Sequence, residues 1–144
     1  MEAEQNSDNS NMDSQLTNNP IQLHRISEYF RAFNEKDTNV LADLYAEEVI
    51  LKDWTGKWEG KYSVLSANRE LFQSHPELKI TLNRIENKAN TSYCYISIVL
   101  ENTKLEVLDC IYFNEEGEIS YIEAILRDTT DLTPSVDWMN EEGI

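Results

Sequence analysis

Asp109 stands within Leu105–Leu126, LEVLDCIYFNEEGEISYIEAIL, a run that reads as two strands around a turn at Asn114-Glu115-Glu116-Gly117. Strand alternation sets it on one face with Val107, Ile111 and Phe113. A carboxylate in that company must be hydrogen-bonded or kept protonated, because an unpaired buried charge costs too much to leave alone. A second carboxylate, Asp53, ends an earlier strand, Glu47 to Asp53, and is followed by Trp54 and Trp58. At a partly wet strand end a carboxylate stays ionised. Two acids in such different surroundings can divide a proton transfer beside a carbonyl: one accepts the proton from carbon, and the other donates to the oxygen as charge develops there.

The elements that must hold these residues follow in chain order. Asn19-Pro20 reads as a helix start, with Asn19 as N-cap and proline in the first turn, where a missing N–H costs nothing. Ile21, His24, Tyr29, Phe30 and Phe33 then recur at helical spacing. Glu35-Lys36-Asp37 closes this helix, and Asp37 or Thr38 caps a short second one from Asn39 to Tyr45. Thr55-Gly56 and Glu59-Gly60 supply turns around Trp58. A third helix runs from about Lys61 to Ser74, with Val64, Leu65, Leu71 and Phe72 on its buried side, until His75-Pro76 stops it. The period then changes to two: Leu78, Ile80 and Leu82 alternate in one strand, Tyr93 to Leu100 form the next, and the Leu105–Leu126 pair completes the sheet. Helices first and long strands afterwards predict an α+β fold, a curved antiparallel sheet around helices packed on one face.

At 144 residues the chain is one domain's worth. The net charge of −15 is concentrated at the ends: residues 1–20 hold four acids and no base, and residues 127–144 hold five acids and one arginine. Residues 1–19 read as a disordered acidic tail, 20–127 as the folded domain and 128–144 as an acidic C-terminal tail in which Trp138-Met139 could dock. Such a balance, with no basic patch, disfavours nucleic acid and anionic membrane surfaces as partners. A polar N-terminus and the lack of a long apolar run predict a cytoplasmic location. Cys94 and Cys110 lack companion ligands at short spacing, so they read as buried free thiols, and no metal or cofactor is expected. His24 and His75 read as surface or rim residues.

The order of elements, together with LADLYAEEVILKD, the turn at Gly60 before the third helix, and VLDCIYFNEEGEISYIEAI, resembles the nuclear transport factor 2-like superfamily, which includes the SnoaL-like proteins and the ketosteroid isomerases. The resemblance covers roughly Ile21 to Leu126. It implies a cone-shaped half-barrel, a curved, mixed but mostly antiparallel sheet wrapped around three N-terminal helices. The helix-one oxyanion-hole tyrosine of the ketosteroid isomerases falls on Tyr29, and another tyrosine of that network on Tyr45. Their general-base aspartate falls on Asp53 and their protonated oxyanion-hole aspartate on Asp109. The tyrosine of their third helix is Asn68 here, and the proline after their base is Trp54.

In the resulting scheme Asp53 is the base, while Tyr29 and Asp109 bind the oxyanion. Val107, Ile122, Ala124 and Leu126, inward by alternation with Asp109, would line the wall, and Phe33, Trp54, Trp58, Leu65 and Phe72 would close it. Plainer roles stand beside these. Asp109 as a structural acceptor for Tyr29 or an indole N–H, Asp53 as the cap of its turn, and Tyr29 and Tyr45 as core aromatics fit the same residues. Two functions therefore remain open: a cofactor-independent isomerase or cyclase acting on an apolar carbonyl compound, or a non-catalytic ligand-binding or dimerisation module. The opposite face of the last strands carries Leu108, Cys110, Tyr112, Tyr121 and Ile125, too apolar for free solvent, and predicts a homodimer through the sheet.

Overall fold

A computed structural model describes residues 19–134. The expected tail over residues 1–19 and the Trp138-Met139 segment lie outside those residues, save for Asn19. Helix α1 (Pro20–Glu35) begins where expected: Asn19 Oδ1 accepts from the Gln22 N–H at 3.1 Å, and proline occupies the first turn. Its buried face differs from the expected stripe. Ile21 is 64% exposed and His24 points to solvent, whereas Gln22, Ile26, Tyr29, Phe30 and Phe33 face inward. The first turn is rotated so that a polar residue enters the core, and that residue is satisfied there, since Gln22 Nε2 donates to Ser92 Oγ at 2.8 Å.

Lys36, in the left-handed conformation at φ 56°, ends α1, and Asp37 caps α2 (Thr38–Leu44) by accepting from the Val40 N–H. Tyr45 belongs to strand β1 (Tyr45–Lys52) rather than to the helix. The short β2 (Lys57–Glu59) pairs back on β1, and α3 spans Lys61–Ser74, as the spacing predicts. Strands β3 (Lys79–Lys88), β4 (Thr91–Leu100), β5 (Thr103–Phe113) and β6 (Ile119–Asp131) follow as an antiparallel meander. The sheet order is β2-β1-β6-β5-β4-β3, with β1 parallel to β6. The result is the expected α+β fold, three helices against a curved, unclosed, mixed sheet.

Two details adjust the sequence reading. Strand β6 continues through Asp128–Asp131, paired with Thr103–Glu106, so ordered structure passes the boundary expected at residue 127. A tail rich in acids remains in the sheet because backbone pairing with β5 does not depend on side-chain polarity. Leu78, just before β3, and Ile80 within it are buried, but Leu82 is 36% exposed, next to a register shift between Leu82 and Arg84.

Side-chain amides and one arginine tie α1 across the sheet. Asn34 pairs with the backbone of Ile80 on the edge strand β3, donating to its carbonyl at 2.9 Å and accepting from its N–H at 2.7 Å, as a neighbouring strand would. At the other end Arg25 donates to the Gly117 carbonyl in the β5–β6 turn. Gly117 sits at φ 82°, and a side chain there would collide with that guanidinium. Anchored at both ends, α1 closes one side of the sheet's concave face.

Candidate functional site

The register of the meander brings the inner face of β5 opposite those of β4 and β6. Asp109 pairs with Cys94 on one side and Ala124 on the other. Both neighbours are small, so their side chains leave open space in front of the carboxyl group. That space is a cavity of about 400 Å³ between the sheet, α1 and α3. Tyr29, Asp53 and Asp109 all line it, as do Phe33, Trp54, Trp58, Val107, Ile122 and Ala124. Tyr45, Leu65, Phe72 and Leu126 do not. Tyr45, Leu65 and Phe72 are buried in the core, and Leu126 packs at its margin opposite Val107.

Helix α3 explains two of these four displacements. Its apolar stripe of Val64, Leu65 and Phe72 packs into the core. Ala67, Asn68, Leu71 and Ser74, with His75 just beyond the helix, face the cavity instead. They recur at helical spacing, a signal present in the sequence, but the composition of a helix does not say which stripe faces which neighbour. Leu51, Ile96, Ile98 and Leu105 also line the cavity; they share the inward parity of Asp53 or Asp109 once the strands are paired.

The two acids sit in different surroundings. Asp109 is 7% exposed and accepts no hydrogen bond from a described residue. Burial, with a smaller contribution from the negative charge of Asp53, pushes its carboxyl from about 3.8 up to about 7. No deeply buried side-chain oxygen or nitrogen lacks a partner among the described residues, so the oxygens of Asp109 reach the cavity itself. Asp53 is half-buried at the mouth, and its Oδ1 accepts from the Thr55 N–H at 2.6 Å, the Thr55 hydroxyl at 2.7 Å and the Gly56 N–H at 3.0 Å. Those bonds build the turn before β2, and Oδ2 has no partner among the described residues.

Tyr29 is 3% exposed, with its ring against Phe30 and Phe33 at 5.0 and 5.1 Å. Burial, then the neighbouring Tyr45 phenol and Asp109, hold its hydroxyl well above the usual range, so it keeps its proton. The Tyr45 hydroxyl donates to Asn68 Oδ1 at 2.7 Å. At the rim, His75 Nδ1 lies 2.9 Å from Glu101 Oε1. The described lining residues include Asp53, Glu70 and Asp109 but no lysine or arginine. Such a site suits an apolar molecule without negative charge, bearing an oxygen at the deep end. The described residues contain no cluster of metal-ligating side chains and no helix long and apolar enough to cross a membrane.

A family model described as a SnoaL-like domain matches residues 26–122. No protein with a curated function matches the chain in sequence. Among solved structures, a protein provisionally assigned as a ketosteroid isomerase from Kribbella flavida is 17% identical, with 85% of this chain and 90% of that one aligned and a TM-score of 0.68. The epoxide hydrolase/cyclase-like enzyme SalBIII, described in pyran ring formation in the polyether salinomycin, is 15% identical, with 76% and 95% aligned and a TM-score of 0.69. A SnoaL-like protein of unknown function from Burkholderia thailandensis is 14% identical over 76% and 96%, also at 0.69. At these identities the likeness is one of fold.

Proposed function

The chain belongs to the family of SnoaL-like domains, and we propose that it is a cofactor-independent enzyme of isomerase or cyclase type, moving a proton beside the carbonyl of an apolar compound. One observation carries this reading: a single cavity gathers Asp53, Tyr29 and an Asp109 that is buried, has no hydrogen-bond partner among the described residues and is pushed up to about 7 by burial. Asp53, through Oδ2, takes the proton from the carbon next to the carbonyl. The electrons of that C–H bond move into the adjacent C–C bond and on to the carbonyl oxygen, where the Tyr29 hydroxyl and protonated Asp109 donate hydrogen bonds. Return of the proton to a different carbon completes an isomerisation.

The test is the isomerisation of a β,γ-unsaturated ketone by the wild type and by Asp53→Asn. The wild type should exceed the buffer rate, and the variant should lose about a thousandfold. Equal rates for both proteins and buffer would remove the isomerase reading. A second reading, a non-catalytic binding module on the same cavity, is favoured by the three hydrogen bonds that give Asp53 Oδ1 a structural task. It would show as ligand binding without turnover.

The outer sheet face supports a homodimer. Tyr112 and Tyr121 pack ring to ring at 5.4 Å, and farther along the same strands Leu108 pairs with Ile125, which is 44% exposed. Sedimentation of Tyr121→Glu should give a monomer where the wild type gives a dimer.

A further inference from the structure

Asn68 is 3% exposed on α3, yet among the described residues it is bonded on one side only. Its Oδ1 accepts from the Tyr45 hydroxyl at 2.7 Å. Its Nδ2 donates to no described residue. Because no deeply buried side-chain nitrogen among the described residues lacks a partner, Nδ2 is reached from the cavity that Asn68 lines. The amide therefore presents two N–H donors to whatever fills that space.

A carbonyl oxygen has two lone pairs. With Tyr29 and protonated Asp109 donating to one ligand oxygen, both are satisfied, and the donors of Asn68 have nothing left there to bond. A buried donor without an acceptor costs roughly 1–3 kcal/mol. We infer that Asn68 is a specificity-determining residue, its Nδ2 donating to a second oxygen of the ligand, and that the cavity selects an uncharged apolar compound bearing two acceptor oxygens, a diketone or an alkoxyketone. This role presupposes the oxygen site of Tyr29 and Asp109 proposed above. The lining argues against a carboxylate as the second group, since it holds Asp53, Glu70 and Asp109 and no lysine or arginine among the described residues.

Binding of rigid bicyclic ketones at pH 6 to the full-length protein, read through the fluorescence of Trp54 and Trp58, tests the assignment. The probes are 1-decalone, with one carbonyl, and its 1,4- and 1,5-diones, whose second oxygen can only accept. In the wild type the best dione should bind at least about fivefold more tightly than 1-decalone. Asn68→Leu should bring that ratio to about one. Asn68→Leu combined with Tyr45→Phe, which leaves no phenol without its acceptor and so guards against misfolding, should give the same ratio of about one. Three results would overturn the inference: no dione preferred by the wild type, a preference that survives both variants, or 1-decalone weakened as much as the dione. Failure of the underlying oxygen site reads differently, as 1-decalone binding that is absent or that Tyr29→Phe does not weaken.

Discussion

Asp53 and Asp109 line one cavity and are the same residue, but the mouth and the deep end treat them oppositely. At the mouth, two N–H groups and a hydroxyl converge on one oxygen of Asp53, in a turn open to water. At the deep end, Asp109 has small neighbours, no donor among the described residues and little solvent, and its carboxyl rises to about 7. Burial, rather than residue type, is what raises the Asp109 carboxyl. The contrast separates a group suited to accept a proton from one suited to donate a hydrogen bond.

Exchange of the roles breaks the contrast most sharply. Asp53→Asn should lower isomerisation by about a thousandfold while changing the unfolding midpoint little, because its amide oxygen can still hold the turn. Next in size is the pH response of stability. The folded value of Asp109 lies above the unfolded one, so between about 3.8 and 7 the folded chain keeps a proton that the unfolded chain has released. The stabilising contribution is complete below about 4 and is lost as pH rises through 7, on the order of 4 kcal/mol across the window. Urea unfolding from pH 4 to 8 should show this slope in the wild type, and Asp109→Asn should flatten it and be the more stable protein at pH 8 by roughly 2 kcal/mol. A slope unchanged in the variant would place the titration elsewhere.

Two smaller effects sharpen the comparison. Tyr45→Phe should cost about 1–2 kcal/mol in chemical denaturation, since Asn68 Oδ1 loses its donor. Asp53→Ala should cost about 1 kcal/mol through the turn alone, and Asp53→Asn less than half of that. If alanine and asparagine prove equally destabilising, the turn bonds are not what holds the mouth.

Much of the fold is legible because local chemistry dictates it. Asn19 and Pro20 start α1, Gly60 precedes α3, His75-Pro76 ends it, and Gly117 turns the last hairpin. The parity that set Asp109 with Val107 and Ile111 needs only the period of a strand. The wall was legible where it followed that parity, at Val107, Ile122 and Ala124. It was not legible on α3, where Leu65 and Phe72 are as apolar as Leu71 but lie a third of a turn away.

By itself, then, the sequence determined the elements, their order and the face on which each strand residue sits, because caps, turns and alternation act over a few residues. Only the tertiary structure decided the rotation of α1 and α3, the pairing of Cys94 and Ala124 with Asp109, and the half-bonded amide of Asn68. Those depend on contacts between segments far apart in the chain, and such packing leaves no local signature from which they could be read.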